Sequence, residues 1–299
     1  MDPVAQIRSF NRRVTASIGV LQDGYLDRGR PLGASRVLWE LDPSGSDLRD
    51  LRERLGLDSG YLSRLLRMLQ AEGLVTVVAD RRDARVRVAT PTAAGLRERD
   101  ELDRLADALA ARLLAPLGPH RQGQLIAAMA TVERLLTAGL VELRREPPDG
   151  AAAREALTAY YAELDARFEG GFDPGRGIQL GADDLVPPHG ALIVARITGQ
   201  VVGCGAVRVD GDTAHIKRMW VHPESRGLGV GTRILQALEQ FAQDAGASVA
   251  QLETNRVLGE AIAMYRARGY HEVPAFNDER YAHHWFEKRL GPSTPLPPA

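Results

Sequence analysis

The segment Pro147-Pro148-Asp149-Gly150 divides the chain into two stretches with different hydrophobic periods. Before it, apolar residues recur mainly every three to four positions, as in packed helices. After it, short β-rich runs alternate with amphipathic helical stretches. Because prolines and glycines end a helix that reaches them, we predict a linker at residues 146–151 between domains at residues 1–145 and 152–290.

Length and composition agree with two folded domains. The chain has 299 residues, about twice a usual domain length of roughly 150, and its net charge of -1 with 44% hydrophobic residues excludes disorder throughout. Its most apolar stretch, residues 191–209, contains Arg196 and Gln200, so it does not predict a membrane-spanning helix. The residues after Met1 lack a secretory signal pattern. We therefore expect a cytoplasmic protein. Four prolines within residues 291–299 predict a disordered tail.

Cysteine and histidine usage predicts no metal site. Cys204 is the only cysteine and lies in an apolar run, so it predicts a buried structural thiol. His283 and His284 are neighbours on a predicted strand, where their side chains point to opposite faces, and no third ligand is apparent.

The first half has the order helix, helix, hairpin that is typical of a winged helix-turn-helix. Leu62, Leu65, Leu66 and Leu69 form one face of a helix that follows Asp58. Two β-rich runs, joined by a charged turn at residues 80–85, come next. The other predicted helices cover residues 4–26, 36–41, 48–55, 92–117 and 121–143.

Polar residues on this helix and turn predict contacts with DNA. Residues 60–99 contain eight arginines and four acids, an excess that can meet phosphate. A solvated polar face is the alternative for the helix alone, but clustered arginines in the turn repel one another unless an anion lies nearby. The predicted DNA-binding residues are Ser59, Gly60, Ser63, Arg64, Arg67, Arg81, Arg82 and Arg85.

These segments, residues 57–75, 80–85 and 90–95, together resemble the MarR family of bacterial transcription regulators. The resemblance covers about residues 5–145, with an Asp-x-Arg-Asp-x-Arg pattern in the wing. It implies a homodimer held by the first and last helices, a palindromic double-stranded DNA site that places the protein at the nucleoid, and often a small-ligand pocket. The apolar length of the terminal helices, which leaves a face to cover, is consistent with a dimer.

The second half predicts an α/β (α+β) domain with a glycine-rich turn at its centre. Residues 226–232, here named the glycine turn, lie between a strand and an amphipathic helix, where backbone amides can surround a pyrophosphate. A dinucleotide fold would place such a turn after its first strand, so NAD fits less well. The predicted strands cover residues 191–198, 200–209, 214–221, 247–253 and 281–289.

Residues 216–223, the glycine turn, residues 252–255 and residues 261–270 together resemble the GNAT superfamily of N-acetyltransferases. The resemblance spans about residues 152–290 and implies a central mixed sheet with acetyl-CoA as co-substrate in a splay between strands. The cofactor-binding residues that it implies are Trp220, Val221, Arg226, Gly227, Leu228, Gly229, Val230, Gly231, Thr232, Asn255 and Tyr265.

Amine attack on a thioester needs a base and a proton donor for the thiolate. The resemblance assigns the donor to Tyr265, for which a core aromatic is the alternative. His215 stands where many relatives have a glutamate base, so an imidazole acting directly or through water is one interpretation, and a strand-end histidine is the other.

Asn255 either binds the pantetheine arm or caps a turn. Six acids within residues 160–190 suggest attraction of a cationic amine, or a solvated helix face.

Two functional hypotheses follow. The first is a bifunctional protein, in which a MarR-like regulator is fused to a GNAT-like enzyme that acetylates an amine of a small molecule. The second is a regulator whose GNAT-like domain senses acetyl-CoA without turnover. The sequence defines neither the acceptor nor the operator, nor whether the protein activates or represses, binds an effector in its first domain, or couples its two domains.

Overall fold

The computed structural model describes residues 2–18, 25–80, 83 and 85–291. The chain divides into two compact units, Met1–Met129 and Ala130–Ala299. Within the described ranges, no helix combines the length and the apolar content that crossing a bilayer requires.

The first unit is helical with a small antiparallel sheet in the order β1-β3-β2. The predicted winged helix-turn-helix is confirmed, and its sheet has one strand more than the predicted two-stranded wing. The elements are α1 (Pro3–Ser17), α2 (Leu32–Glu40), β1 (Ser46–Asp47), α3 (Leu48–Leu55), α4 (Ser59–Ala71), β2 (Val75–Ala79), β3 (Arg87–Pro91), α5 (Ala93–Leu114) and the start of α6 (Pro119–Gly139).

Local sequence explains the position of α4. The Asp58 carboxylate accepts a hydrogen bond from the Tyr61 amide (2.8 Å) and caps the helix. All four leucines of the predicted inner face are buried, and they pack in one core with Leu38 and Leu51.

Two predicted helices end earlier than expected. The helix predicted at residues 4–26 ends at Ser17, residues 19–24 lie outside the described residues, and Leu26 has a φ of 54°. The helix predicted at residues 121–143 ends at Gly139, and β4 (Val141–Arg145) follows it. Val141 is buried and Glu142 exposed, which is strand alternation. Since β4 belongs to the second unit's sheet, the predicted domain boundary at residue 145 is too late.

The second unit contains a mixed sheet of seven strands in the order β4-β5-β6-β7-β8-β10-β9. Its further elements are α7 (Ala151–Arg167), β5 (Gly190–Ile197), β6 (Gln200–Asp210), β7 (Thr213–Val221), α8 (Val230–Asp244), β8 (Val249–Thr254), α9 (Gly259–Ala267), β9 (His271–Val273) and β10 (His284–Arg289). This confirms the predicted α/β domain with a mixed sheet. Helix α7, strand β4 and strand β9 were not among the predicted elements.

Strands β7 and β8 create the opening that the site uses. They are the parallel neighbours of the sheet, and their register runs from Thr213 opposite Val249 to His215 opposite Gln251. Further along, β7 bulges: Lys217 pairs with Ala206 and Trp220 with Cys204, so two residues of β7 face one of β6. The predicted buried thiol of Cys204 is confirmed, and its Sγ contacts the Arg218 carbonyl (3.4 Å) in this bulge.

Candidate active site and nucleic-acid interface

A cavity of about 470 Å³ lies against the start of α8 and is named the α8 cavity. The end of β7, the glycine turn, and parts of α7 and α9 form its walls. Of the predicted cofactor-binding residues, it is lined by Trp220, Val221, Arg226, Gly227, Gly229, Val230, Gly231, Thr232 and Tyr265. Leu228 does not line this cavity or the neighbouring one, and it packs on the hydrophobic core instead.

The glycine turn presents backbone rather than side chains to the α8 cavity. Gly227 and Gly229 have φ values of 78° and 77°, in the left-handed region, and a Cβ added to either would meet no atom within 4 Å. Gly229 caps α8, and among the described residues no side chain caps this helix. The first amides of a helix have no partner within it and attract anions. The turn therefore fits a pyrophosphate such as that of acetyl-CoA.

A cluster of charged side chains borders this cavity at Glu163 on α7. The Glu163 carboxylate is paired with Arg226 and Arg167 and accepts a hydrogen bond from the Trp220 indole nitrogen (2.8 Å). Burial raises the pKa of Glu163, but the three hydrogen bonds outweigh it and hold this pKa below its usual value. Glu163 thus joins helix α7 to the predicted pyrophosphate-binding arginine.

A second cavity, of about 140 Å³, lies beside the first and is named the aromatic cavity. Four rings at its wall contact one another, with Phe172 at the centre: its ring centroid lies 5.8 Å from Tyr161, 5.7 Å from Phe168 and 4.8 Å from Tyr281. The opposite wall contains charged residues of β7 and β8. The aromatic cavity therefore combines flat apolar surfaces with ionised groups.

Tyr265 lines both cavities and is 4% exposed. Its neighbours on the inner side are the rings of Tyr270 (5.9 Å) and Phe286 (6.1 Å). Burial raises the pKa of the Tyr265 phenol, so this group keeps its proton at neutral pH and is able to donate it. Tyr160 and Met219 also line both cavities.

A buried ion pair lies where β7 and β8 diverge. The Lys217 ammonium contacts the Glu253 carboxylate, and both side chains are largely buried in the aromatic cavity. Burial lowers the pKa of Lys217 to about 8, and the charge of the Glu279 carboxylate opposes that shift because it stabilises the charged ammonium. Asn277 Nδ2 lies 3.4 Å from the same carboxylate.

Two other predicted residues, His215 and Asn255, differ in their position relative to the cavities. His215 is not among the described residues that line either cavity. Its ring centroid lies 6.2 Å from that of Phe276. Burial, followed by the charges of Lys217 and Arg208, lowers the pKa of His215. Asn255 lines the aromatic cavity. Its side chain donates a hydrogen bond to the Tyr281 carbonyl (2.8 Å) and accepts one from the Val257 amide (3.1 Å), as expected if Asn255 caps a turn.

Three of the six acids of residues 160–190 hold the local backbone. Asp165 accepts from the Phe172 amide, Asp173 from the Gly175 amide, and Asp184 from the Gly181 amide. Among the six acids, Glu163 lines a cavity. The structure also brings Tyr160, Lys217, Arg218 and Glu253 into the site, and none of them is a predicted site residue. The available signal was the adjacent positive charges at residues 217 and 218, within a segment that resembles the GNAT superfamily.

The predicted DNA-binding residues of α4 share one exposed face. Ser59, Gly60, Ser63, Arg64 and Arg67 are all exposed, whereas the leucines between them are buried. The Arg64 guanidinium lies 5.7 Å from the Tyr61 ring centroid. In the wing, Arg85 is 91% exposed and pairs with Asp83 (3.1 Å). Arg81 and Arg82 lie outside the described residues.

Comparison with known proteins agrees with both units. The Acetyltransferase (GNAT) family matches residues 157–270, and the MarR family matches residues 28–86. A relative from Azospirillum brasilense, named IAA acetyltransferase, is 37% identical over 133 residues, which are 44% of this chain and 84% of that protein. The chain belongs to the GNAT family of acetyltransferases. Its second unit is an N-acetyltransferase domain, and its first unit contains a MarR-family region.

Other acetyltransferases are also similar to part of this chain. An uncharacterized N-acetyltransferase from Schizosaccharomyces pombe is 37% identical over 87 residues, 28% of this chain and 53% of that protein. The solved IAA acetyltransferase from Bacillus cereus has 16% identity and a TM-score of 0.37, covering 50% of this chain and 99% of that chain. The PaiA N-acetyltransferase from Thermoplasma acidophilum, solved in complex with coenzyme A, has 13% identity and a TM-score of 0.38, covering 50% and 98%.

Proposed function

We propose that this protein is a DNA-binding homodimer whose GNAT domain transfers an acetyl group from acetyl-CoA to an amine of a small molecule. The observation that carries the enzymatic part is the position of Tyr265 at the junction of two cavities. At one cavity, a helix starts without a side-chain cap among the described residues, which leaves its first amides for a pyrophosphate. The other offers aromatic and charged walls for an acceptor. A proton donor at their junction is what acetyl transfer between them requires.

Bound acetyl-CoA supplies an activated acetyl group as a thioester. The glycine turn and the first amides of α8 hold its pyrophosphate, and the β7 backbone near Trp220 and Val221 holds the arm and the thioester oxygen. The aromatic cavity holds the acceptor with its amine toward Tyr265. As the new C–N bond forms and the C–S bond breaks, Tyr265 gives its proton to the sulfur, and a base removes one from the nitrogen.

We propose Glu253 as this base, in place of His215, because its carboxylate lines the aromatic cavity. Glu253→Gln should lower kcat/KM by about 10²-fold, the usual scale for losing a general base. His215→Ala should leave the acidic limb of the pH–rate profile unchanged. The pKa of His215 is lowered from its ordinary value of 6.5, so the imidazole itself gains a proton only in more acidic solution. Steady-state kinetics between pH 5 and 9 measure both variants.

The double variant Lys217→Gln with Glu253→Gln removes both charges of the pair, so no unpaired ion is left buried. It should show the same kinetic defect as Glu253→Gln while its thermal unfolding stays close to that of the parent. If His215→Ala removes the acidic limb and Glu253→Gln does not, the imidazole is the base.

The exposed face of α4 and the charged wing support the DNA-binding part of the proposal. Arg85→Ala or Arg82→Ala should weaken binding to all DNA sequences and lower the salt slope by about one, because each removes a phosphate contact. Arg64→Ala should mainly relax sequence preference, by about 1–3 kcal/mol at one base pair. Fluorescence anisotropy across a salt series on specific and unrelated duplexes measures both effects.

Arg104→Ala is the matched control, because Arg104 is exposed on α5, pairs with Glu101 and is outside the proposed DNA-binding surface. It should change neither quantity. Salt slopes that stay unchanged in an Arg82→Ala, Arg85→Ala double variant would contradict the assignment of the wing.

Exposed apolar stripes support the dimer. On α1, Val4, Ile7 and Phe10 are 60%, 61% and 46% exposed, and they are spaced for one helix face. On α6, Leu135 and Leu136 are each 67% exposed. Apolar faces of this length need a partner in water, and a second copy of the chain would bring a second α4 to a palindromic site.

A thiol-release screen of amines, with calorimetry of acetyl-CoA, tests the enzymatic proposal. Thiol release with at least one amine supports the enzyme. Acetyl-CoA binding without release with any amine favours a sensor, and the absence of binding contradicts both functions. Repeating the assay with bound operator DNA measures coupling between the two activities.

A further inference from the structure

The ionised groups of the aromatic cavity have partners, except for one guanidinium. Lys217 and Glu253 neutralise each other. The Glu279 carboxylate accepts hydrogen bonds from the Ile178 amide (2.8 Å) and the Tyr281 amide (3.3 Å), so it holds the surrounding loops. Among the described residues, no carboxylate lies within ion-pair distance of Arg218, which lines the same cavity.

Within the described residues, the Arg218 guanidinium makes one hydrogen bond to protein, from Nη2 to the Leu180 carbonyl (3.2 Å). A guanidinium carries five N–H donors arranged to match a carboxylate. The bond to Leu180 orients this group and leaves donors for a ligand. The aromatic cavity therefore has a binding position for an anionic group that the chain itself does not fill.

The backbone of Arg218 also indicates a ligand site. Its φ of 56° lies in the left-handed region, which is strained for a non-glycine residue. The strain occurs in the β7 bulge, between the pairs at Lys217 and Trp220. Residues held in such conformations cluster at ligand sites.

Arg218 also lies near the place where acetyl transfer would occur. It precedes Met219, which lines both cavities. Burial raises the pKa of Tyr160, another residue of both cavities, and the charge of Arg218 opposes that rise. An anionic group on Arg218 would therefore be close to the reacting amine, as the carboxylate of an α-amino acid is.

The size and the aromatic wall of the cavity suit one ring. Phe172, Tyr161 and Tyr281 present flat surfaces with centroids 4.8 to 5.8 Å apart, and aromatic rings favour stacked or edge contacts at such distances. The aromatic cavity measures about 140 Å³. Apolar protein cavities of about 150 Å³ bind benzene.

From these observations we propose that the acceptor is an aromatic α-amino acid, with its carboxylate on Arg218 and its ring against Phe172 and Tyr281. This inference rests on the proposed function and names its substrate class. Acetylation would form the amide on the α-nitrogen, release the free thiol of coenzyme A and leave the carboxylate unchanged.

Matched pairs of acceptors test the proposal in the full chain. L-phenylalanine is compared with phenethylamine, and L-tryptophan with tryptamine, since each pair differs only in the carboxylate. The parent protein should favour the amino acid by about 100-fold or more in kcat/KM, the scale of losing one partner of a buried ion pair. Arg218→Gln should abolish this preference without changing the Kd for acetyl-CoA, and Arg218→Lys should restore part of it.

Two further variants separate the two halves of the inference. Phe172→Leu should lower kcat/KM for L-phenylalanine more than for L-alanine, because only the former has a ring. Arg208→Gln is the control: Arg208 lies outside both cavities and near Asp184 and Asp210, so the preference should remain.

The outcomes also separate this inference from the proposed function. Turnover of other amines without preference for carboxylated aromatic ones overturns the inference and leaves the proposed function standing. If no amine releases thiol, the proposed function fails, and calorimetry of L-phenylalanine with coenzyme A present then decides. Binding that Arg218→Gln removes supports the amino-acid site, and the absence of binding overturns it.

Discussion

Gly229→Val is expected to abolish acetyl-CoA binding in calorimetry while the domain stays folded. Gly229 has a φ of 77° and caps α8, so a β-branched residue strains the backbone and moves the amides that would face the pyrophosphate. Its Cβ would enter open space at the α8 cavity, which is the path of the anion. Losing two or three charge-assisted hydrogen bonds should weaken binding by about 100-fold or more.

Gly246→Val provides the matched control. Gly246 also has a left-handed φ, of 94°, with open space around an added Cβ, but it follows the other end of α8 and lines neither cavity. Both variants should lower the unfolding temperature through similar strain, and only Gly229→Val should lose acetyl-CoA. Equal affinities in the two variants would remove the pyrophosphate from the glycine turn.

Local patterns predicted the parts of the fold whose physical requirement is contained in neighbouring residues. The leucines of α4 repeat with the helical period, so their buried face follows from spacing alone. The glycine turn was predicted between a strand and an amphipathic helix, which is where it lies, and the left-handed φ of Gly227 and Gly229 is a finding of the structure. In contrast, the predicted end of α6 was wrong and strand β4 was not predicted. Leu140, Val141 and Leu143 extend an apolar helical pattern, and its interruption depends on pairing with β5.

The acceptor side of the site depends on contacts between residues that are distant in the sequence. Lys217 and Glu253 are 36 positions apart, and Trp220 and Glu163 are 57 apart. No spacing rule links them, since their meeting depends on the divergence of β7 from β8. The bulge at Arg218 is likewise a property of strand register. His215 precedes this divergence, which explains why a position inferred from resemblance alone does not line a cavity.

Tyr265→Phe should separate binding from chemistry in the GNAT domain. The variant keeps the ring that packs on Tyr270 and Phe286 and removes only the proton donor. The Kd for acetyl-CoA should therefore hold, while kcat falls by about 10²-fold or more, the usual scale for losing a general acid. Because burial raises the pKa of Tyr265 above its ordinary value near 10, the parent should show no alkaline loss of this acid below that pH.

Tyr270→Phe is the control for removing a phenol hydroxyl from this cluster, since Tyr270 is buried 5.9 Å away and lines neither cavity. Its kcat should match that of the parent. A solvent deuterium isotope effect on kcat should be present in the parent and in Tyr270→Phe but smaller in Tyr265→Phe, because proton transfer to the sulfur is then left to water. A Tyr265→Phe protein with unchanged kcat would exclude this phenol as the acid and reduce Tyr265 to a wall between the two cavities.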